Sequence, residues 1–350
     1  MGQNNRPEIV WITHKRVGMN RSFWIAGFLV GVWIGVTTAD DAVPGTQPAA
    51  SAPAAGDQEV LLFTSFRGNG EDGLYLAWSE DGHQWTPLNG DKPLLTPQVG
   101  DKPLMRDPCI THSPDGMFHM VWTTSWGTPL LIGYAHSRDL RHWSPQRGLA
   151  VMEHEPTARN VWAPEIFYDE VHSRFVIVWS STIPGRFSET AGSAEGDTNH
   201  RAYCTTTTDF KTLSPSRLLY DGGFNCIDAT LLKLDKGYGM VVKDETLKPV
   251  RKHLRMAFAD TAEGPWRDLT EPFTISWVEG PSAIRIADYW YVYFDHYVEP
   301  HYYGAVRSRD FKTWEDVSKK MSFPPGHRHG TVLRIPRSLI GPLSEEHPPQ

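Results

Sequence analysis

The sequence predicts an all-β protein, a five-bladed β-propeller spanning about residues 58–340 and closed by its C-terminal strand. Two observations carry this: a phrase that recurs five times, and the lack of any segment with a sustained 3.6-residue apolar period. The phrase is a short β-rich run, then Ser, Thr or Ala leading to an Asp, then an aromatic ring a few residues on. It reads LYLAWSEDGHQW at 74–85, IGYAHSRDLRHW at 132–143 and AYCTTTTDFKTL at 202–213. It returns as LRMAFADTAEGPW at 254–266 and YGAVRSRDFKTW at 303–314, and Leu213 replaces the ring in the third copy. Two further strand-like runs precede each of the last four copies: DPCITHS and MFHMVWTT, APEIFYD and RFVIVWSS, IDATLLKL and YGMVVKD, EGPSAIRI and YWYVYFD. The first copy has one, VLLFTSF at 60–66, and its missing partner is HGTVLRIP at 329–336. Four strands per unit, with the last segment completing the first sheet, is how a propeller closes its ring.

Ahead of the repeats, residues 23–36 form an uncharged apolar run, FWIAGFLVGVWIGV, preceded by Arg16 and Arg21 and followed by the small residues Thr37-Thr38-Ala39. A basic flank, a short apolar stretch and a small-residue cleavage site are the parts of a secretory signal, so residues 1–39 are expected to be one, with Met19 a candidate start. Retention as an anchor is the alternative. Residues 40–57 are Ala/Pro-rich and read as a linker, and 341–350 read as a tail. The protein is thus expected to be secreted or periplasmic, with no membrane contact once the signal is cleaved.

Composition narrows the partners. The chain of 350 residues has 34 Lys and Arg against 41 Asp and Glu, a formal charge of −7; cleavage after Ala39 leaves 30 against 40, or −10. An acidic chain with no basic cluster is a poor nucleic-acid binder. Three cysteines make no disulfide framework and no zinc spacing. Fourteen Trp with 30 Gly and 27 Pro suit an all-β protein with a carbohydrate partner.

In a propeller the innermost strand of each blade lines the central channel, and its first residues lie at one mouth. The five starts carry Asp107, Glu165, Asp228, Glu279 and His329, at intervals close to one blade each. Singly, Asp107 before Pro108 reads as a turn residue and Glu279 before Gly280-Pro281 as a solvated loop charge. Together they read as four acids at the same phase around one axial pocket, a costly arrangement that proteins retain at functional sites. Loops at 67–73, 125–129, 183–201, 244–253 and 295–303 return to the same mouth and are expected to bring Trp126, Arg186, Phe187, His200, Arg201, His296 and Tyr297 to a sugar. Trp122 and Trp179, inside strands, are expected to be packing residues, as are Cys109 and Cys226.

Arg106-Asp107-Pro108, Trp162-Ala163-Pro164-Glu165, Ile227-Asp228-Ala229-Thr230, Glu279-Gly280-Pro281 and Arg328-His329-Gly330 follow one another in this order. In that order they resemble glycoside hydrolase family 43, five-bladed propellers acting on arabinofuranosides, xylosides and some galactosides. The resemblance covers nearly all of the chain after residue 57. It implies an inverting glycosidase with Asp107 as general base, Glu279 as general acid and Asp228 as the residue that orients the acid and tunes its pKa. Ala229 departs from the Pro common at that place. Glu165 is carried over as a pocket residue without a catalytic role, and substrate contacts are expected from it, from Trp162, Arg328 and His329 of these motifs, and from the loop residues Trp126, Arg186, His200, Arg201 and His296. No cofactor is required, although the family's last-blade His, matched by His329, is often near a central water cluster or a calcium ion. Inversion needs two carboxyl groups roughly 6.5–9.5 Å apart. Burial and a nearby charged Asp228 are expected to raise the pKa of Glu279 so that it can donate.

Two alternatives compete. A retaining, fructan-cleaving propeller shares the Arg-Asp-Pro triplet, but its Asn-Asp-Pro-Asn nucleophile motif is absent. A non-catalytic sugar-binding propeller would not need all three carboxylates.

Overall fold

In the computed structural model, residues 58–350 are described, and they form five antiparallel sheets in a ring. The expected signal and linker, residues 1–57, lie outside the described residues. The first sheet holds β1 (Glu59–Ser65), β2 (Tyr75–Ser79) and β3 (Thr86–Pro87). The second holds β4 (Arg106–His112), β5 (Phe118–Thr123), β6 (Leu131–Ser137) and β7 (Arg147–Ala150). The third holds β8 (Trp162–Asp169), β9 (Arg174–Thr182), β10 (His200–Thr207) and β11 (Arg217–Tyr220). The fourth has three strands, β12 (Cys226–Lys233), β13 (Tyr238–Asp244) and β14 (His253–Ala259). The fifth holds β15 (Val278–Ile286), β16 (Tyr289–His296), β17 (Tyr302–Ser308) and β18 (Glu315–Asp316). The ring closes as expected: β19 (Val332–Pro336) pairs antiparallel with β1, as Phe63↔Val332 and Leu61↔Arg334.

Period-2 alternation builds the core, because each sheet is apolar on both faces. Val60 and Leu62 pack toward Met120 and Trp122 of the second sheet, whereas Leu61 and Phe63 pack toward Tyr291 and Tyr293 of the fifth. Similar clusters fill the other three gaps; Trp122, in the first of the gaps just described, and Trp179, in the gap between the second and third sheets, are fully buried, in agreement with expectation.

The recurring Ser-x-Asp phrase is a turn. The Ser79 hydroxyl accepts the Gly82 N–H (2.9 Å), while Asp81 Oδ1 accepts those of His83 (2.7 Å) and Gln84 (3.0 Å). Asp139, Asp209 and Asp310 repeat the pattern. The motif's Trp closes it: Trp85 Nε1 donates to the Gly82 carbonyl and Trp143 Nε1 to that of Leu140. In the fourth sheet Ala259 has no hydroxyl to accept the turn N–H, and Asp260 pairs with Arg267 instead. There the expected fourth strand shrinks to one bridge, Phe258↔Arg267.

Residues 341–350, expected as a tail, are docked. A short helix, α1 (Ile340–Ser344), buries Ile340 and Leu343 beside the first two sheets. Gln350 N–H donates to the Leu94 carbonyl (3.1 Å), and its own carbonyl accepts the Thr96 N–H (2.9 Å).

Candidate active site

Four of the innermost strands carry the same irregularity. Pairing runs Arg106↔Thr123 then Cys109↔Val121, Trp162↔Ser180 then Glu165↔Val178, Ile227↔Lys243 then Thr230↔Val241, and Glu279↔Asp295 then Ser282↔Tyr293. Each inner strand therefore has one extra residue, a β-bulge that re-aims side chains at the mouth of the channel. The bulged residue is left-handed in every case: Asp107 (φ 52°), Ala163 (47°), Asp228 (58°) and Gly280 (57°). Asp tolerates this region better than most residues. At 280 only glycine fits, since a Cβ would lie 2.5 Å from the His329 ring.

The bulges correct the expected phase. Asp107 and Asp228 occupy equivalent positions, but Glu279 precedes its bulged residue by one and Glu165 follows its own by two. The four acids therefore sit at three levels of the channel. Asp107, Asp228 and Glu279 nevertheless converge on one cavity of about 460 Å³, within the range that holds a small ligand.

At its floor, His329 Nδ1 lies 3.2 Å from Asp107 Oδ1 and 4.0 Å from Asp228 Oδ2. Burial opposes charge on this imidazole, but Asp107 and Asp228 outweigh it and raise its pKa. Thr123 donates its hydroxyl to Asp107 Oδ2 (2.7 Å) and accepts the Ala163 N–H (2.8 Å), which fixes the carboxylate against the neighbouring sheet. Asp228 Oδ2 accepts the Gly280 N–H (3.0 Å), so the residue after Glu279 ties the two acids together.

Glu279 departs from expectation. Burial alone would raise it, but Lys243 Nζ at 3.2 Å and the Arg328 guanidinium at 2.9 Å bring its pKa down to about 2. The raised carboxyl is instead Asp228, which burial pushes to about 6 against the pull of His329 and Lys243. Lys243 has a second partner, Glu245 Oε2 at 2.6 Å, and Arg328 has Asp295 Oδ2 at 2.7 Å.

Trp126 and Trp162 form the rim, their rings edge-to-face at 5.4 Å, and Trp126 is 54% exposed. Tyr297 lines the cavity too, with the Lys243 ammonium 4.5 Å above its ring.

Other expected contacts turn elsewhere. Glu165 lies below the cavity, accepting from the Cys109 thiol (3.1 Å) and the Thr230 hydroxyl (3.2 Å), and burial raises its pKa to about 7. Cys109 is thus a partner as well as a packing residue. His200 is buried behind Trp162, 5.2 Å from it, and meets Thr182 Oγ1 (3.0 Å). Arg186 is drawn to Glu155. Arg201 is fully buried, pairing with Asp221 (2.5 Å) and donating to Asn199, with its guanidinium over Phe187. It anchors the 183–201 loop from behind. His296 stacks on Tyr302 and bonds the Pro300 carbonyl. His200, Arg201 and His296 stand at strand ends and follow the buried side of their loops, whereas Arg186, within its loop, follows its ion pair. Lys243, Glu245, Thr123, Asn69 and Asp295 were not foreseen. The signal for Lys243 was a cation in the apolar run YGMVVKD.

A calcium ion at His329 would have to be held through water, because the Nδ1 side of the ring faces Asp107 and Asp228. Among the described residues no three His, Cys, Asp or Glu side chains cluster as metal ligands.

A closed five-bladed ring with three acids at one mouth defines a class, the propeller glycosidases. The model of a family related to glycoside hydrolase family 43, described as a probable glycosyl hydrolase domain, matches residues 58–339. The chain belongs to this family and is a glycoside hydrolase. No curated protein matches it. Among solved structures it is similar to an alpha-L-arabinofuranosidase from Lactobacillus brevis, at 16% identity over 61% of this chain and 72% of that one, TM-score 0.48. It is similar to a xylan beta-1,4-xylosidase from Bacillus halodurans C-125 at 19% identity, over 63% and 42%, TM-score 0.46. It is also similar to an exo-beta-1,3-galactanase from Phanerochaete chrysosporium at 12% identity, over 64% and 52%, TM-score 0.49. At such identities and TM-scores these likenesses do not bear on which sugar is cleaved.

Proposed function

We propose that this protein is an exported, inverting glycosidase that removes an arabinofuranosyl, xylosyl or galactofuranosyl-like unit from oligo- or polysaccharides. The observation that supports it most is the meeting of Asp107, Asp228 and Glu279 in one cavity with an aromatic rim. Asp107, gripped by Thr123 and His329, takes a proton from the water that attacks the anomeric carbon. Glu279 gives a proton to the leaving oxygen as the glycosidic bond breaks.

In the free site Glu279 is charged, so donation needs its environment to change. The arrangement offers a route: Lys243 can turn wholly to Glu245 and Arg328 wholly to Asp295 as the substrate enters, leaving Glu279 to take up a proton beside Asp228. A second reading exchanges the two roles. It is favoured by the raised pKa of Asp228, which makes Asp228 the better-protonated group near neutrality.

A panel of nitrophenyl glycosides, followed by proton NMR of the first product formed, tests the function. Turnover with the opposite anomer appearing first is the expected result. Retention, or binding with no turnover across the panel, would replace it with one of the two competing classes.

A further inference from the structure

Four cationic side chains line the cavity: Arg106, Lys243, Arg328 and His329. Three of them are neutralised. Lys243 pairs with Glu245 and Glu279, Arg328 with Asp295 and Glu279, and His329 with Asp107 and Asp228. Arg106 has no carboxylate in ion-pair contact among the described residues. One N–H reaches Asn69 Oδ1 at 3.4 Å, and Glu71, exposed on the neighbouring loop, acts on it only through space.

This guanidinium is nevertheless fixed in place. It lies over two rings, 4.5 Å from the centroid of Phe66 and 4.4 Å from that of Trp126, and Asn69 also binds Trp126 Nε1 (3.0 Å). Gly70 presses on its stem: a Cβ there would come 2.8 Å from Arg106 Cγ. A planar fork with most of its donors uncommitted, held rigidly beside Asp107, has already met the ordering cost of binding. Neutral hydroxyls can accept its hydrogen bonds but cannot balance its charge. A carboxylate or sulfate does both, in a bidentate pair.

We propose that Arg106 is a specificity residue that pairs with a carboxylate or sulfate carried by the glycan, so that the natural substrate is an acidic saccharide. This rests on reading the cavity as the sugar site. The anionic group can belong to the sugar beside the cleaved one, since Arg106 stands next to the exposed ring of Trp126 at the rim.

Calorimetric titration of the full chain at low salt tests it with two matched pairs: trigalacturonic acid against its carboxyl-reduced trisaccharide, and galactose 6-sulfate against galactose. At least one anionic member is expected to bind about tenfold tighter than its neutral partner, with the gap narrowing at high salt. A gap in the first pair assigns the uronate, and one in the second the sulfate ester. Arg106→Gln is expected to reduce the gap below twofold, while Arg106→Lys, which keeps the charge without the fork, retains part of it. Equal affinities in the wild type, no binding of either anion, or a gap that survives Arg106→Gln would overturn the proposal. Because binding is read and not turnover, a chain inert on every aryl glycoside could still show the preference. Failure of the hydrolase reading and failure of this one are therefore separable.

Discussion

The propeller repeats aspartates in two places, and they have opposite surroundings. Asp81, Asp139, Asp209 and Asp310 sit in the turns after the third strand of a blade, each accepting two backbone N–H groups. Those bonds outweigh whatever burial they have and hold all four carboxyls below the ordinary value. Asp107 and Asp228 sit on bulges at the channel mouth, buried and left-handed, where one backbone N–H serves Asp228 and side chains serve Asp107. Repetition alone therefore does not mark function. The difference lies in whether the backbone satisfies the carboxylate, which stabilises the fold, or leaves it to chemistry.

The largest effect expected from this contrast is on turnover. Asp107→Asn should lower kcat roughly 10³-fold, with circular dichroism and melting temperature close to wild type. Loss of folding in that variant would place Asp107 with the turn aspartates.

Next in size is an effect on stability. Glu165 is held protonated up to about pH 7, against an ordinary value of 4.5, because burial penalises its charge. The folded state binds this proton where the unfolded chain has released it, so stability falls as pH rises through that window and levels off above it. Asp228, raised from 3.8 to about 6, acts in the same direction. Glu279 acts oppositely: its lowered carboxyl stabilises above about pH 4.5, and that contribution is lost as pH falls toward 2. Glu165→Gln is expected to flatten the decline between pH 4.5 and 7 and to stabilise the protein at pH 8 by about 3 kcal/mol. Urea denaturation at several pH values measures this, and an unchanged slope would remove the buried carboxyl from the account.

The smallest effect belongs to the turns. Asp139→Ala removes two backbone partners on the surface, so a loss of about 1 kcal/mol is expected with kcat within twofold of wild type. A large drop in kcat there would erase the distinction between the two sets.

The five sheets and their closure were legible because alternation and the turn phrase are local signals that recur. The three carboxylates were legible for the same reason: each opens an inner strand. Their depth was not, because a bulge inserts a residue without any mark that separates Ala163 from Asp107 or Gly280 from Asp228. The directions of His200, Arg201 and His296 were not legible because a side chain at a strand end faces whichever side its loop buries, and that of Arg186 because Glu155 comes from another loop. The pKa order of Glu279 and Asp228 was inverted because Lys243 comes from a different strand, and its reach to Glu279 appears only once the sheets are assembled.

The assignment of labour among the acids is tested most directly by leaving-group dependence. Removing a proton donor slows glycosides with basic leaving groups far more than those whose leaving group departs as a stable anion. Glu279→Gln is expected to lose several hundredfold on a 4-nitrophenyl glycoside and under tenfold on its 2,4-dinitrophenyl counterpart, with Asp228→Asn showing the same bias much more weakly because it acts through the acid. The reverse pattern, with the selective loss falling on Asp228→Asn, would contradict Glu279 as the acid.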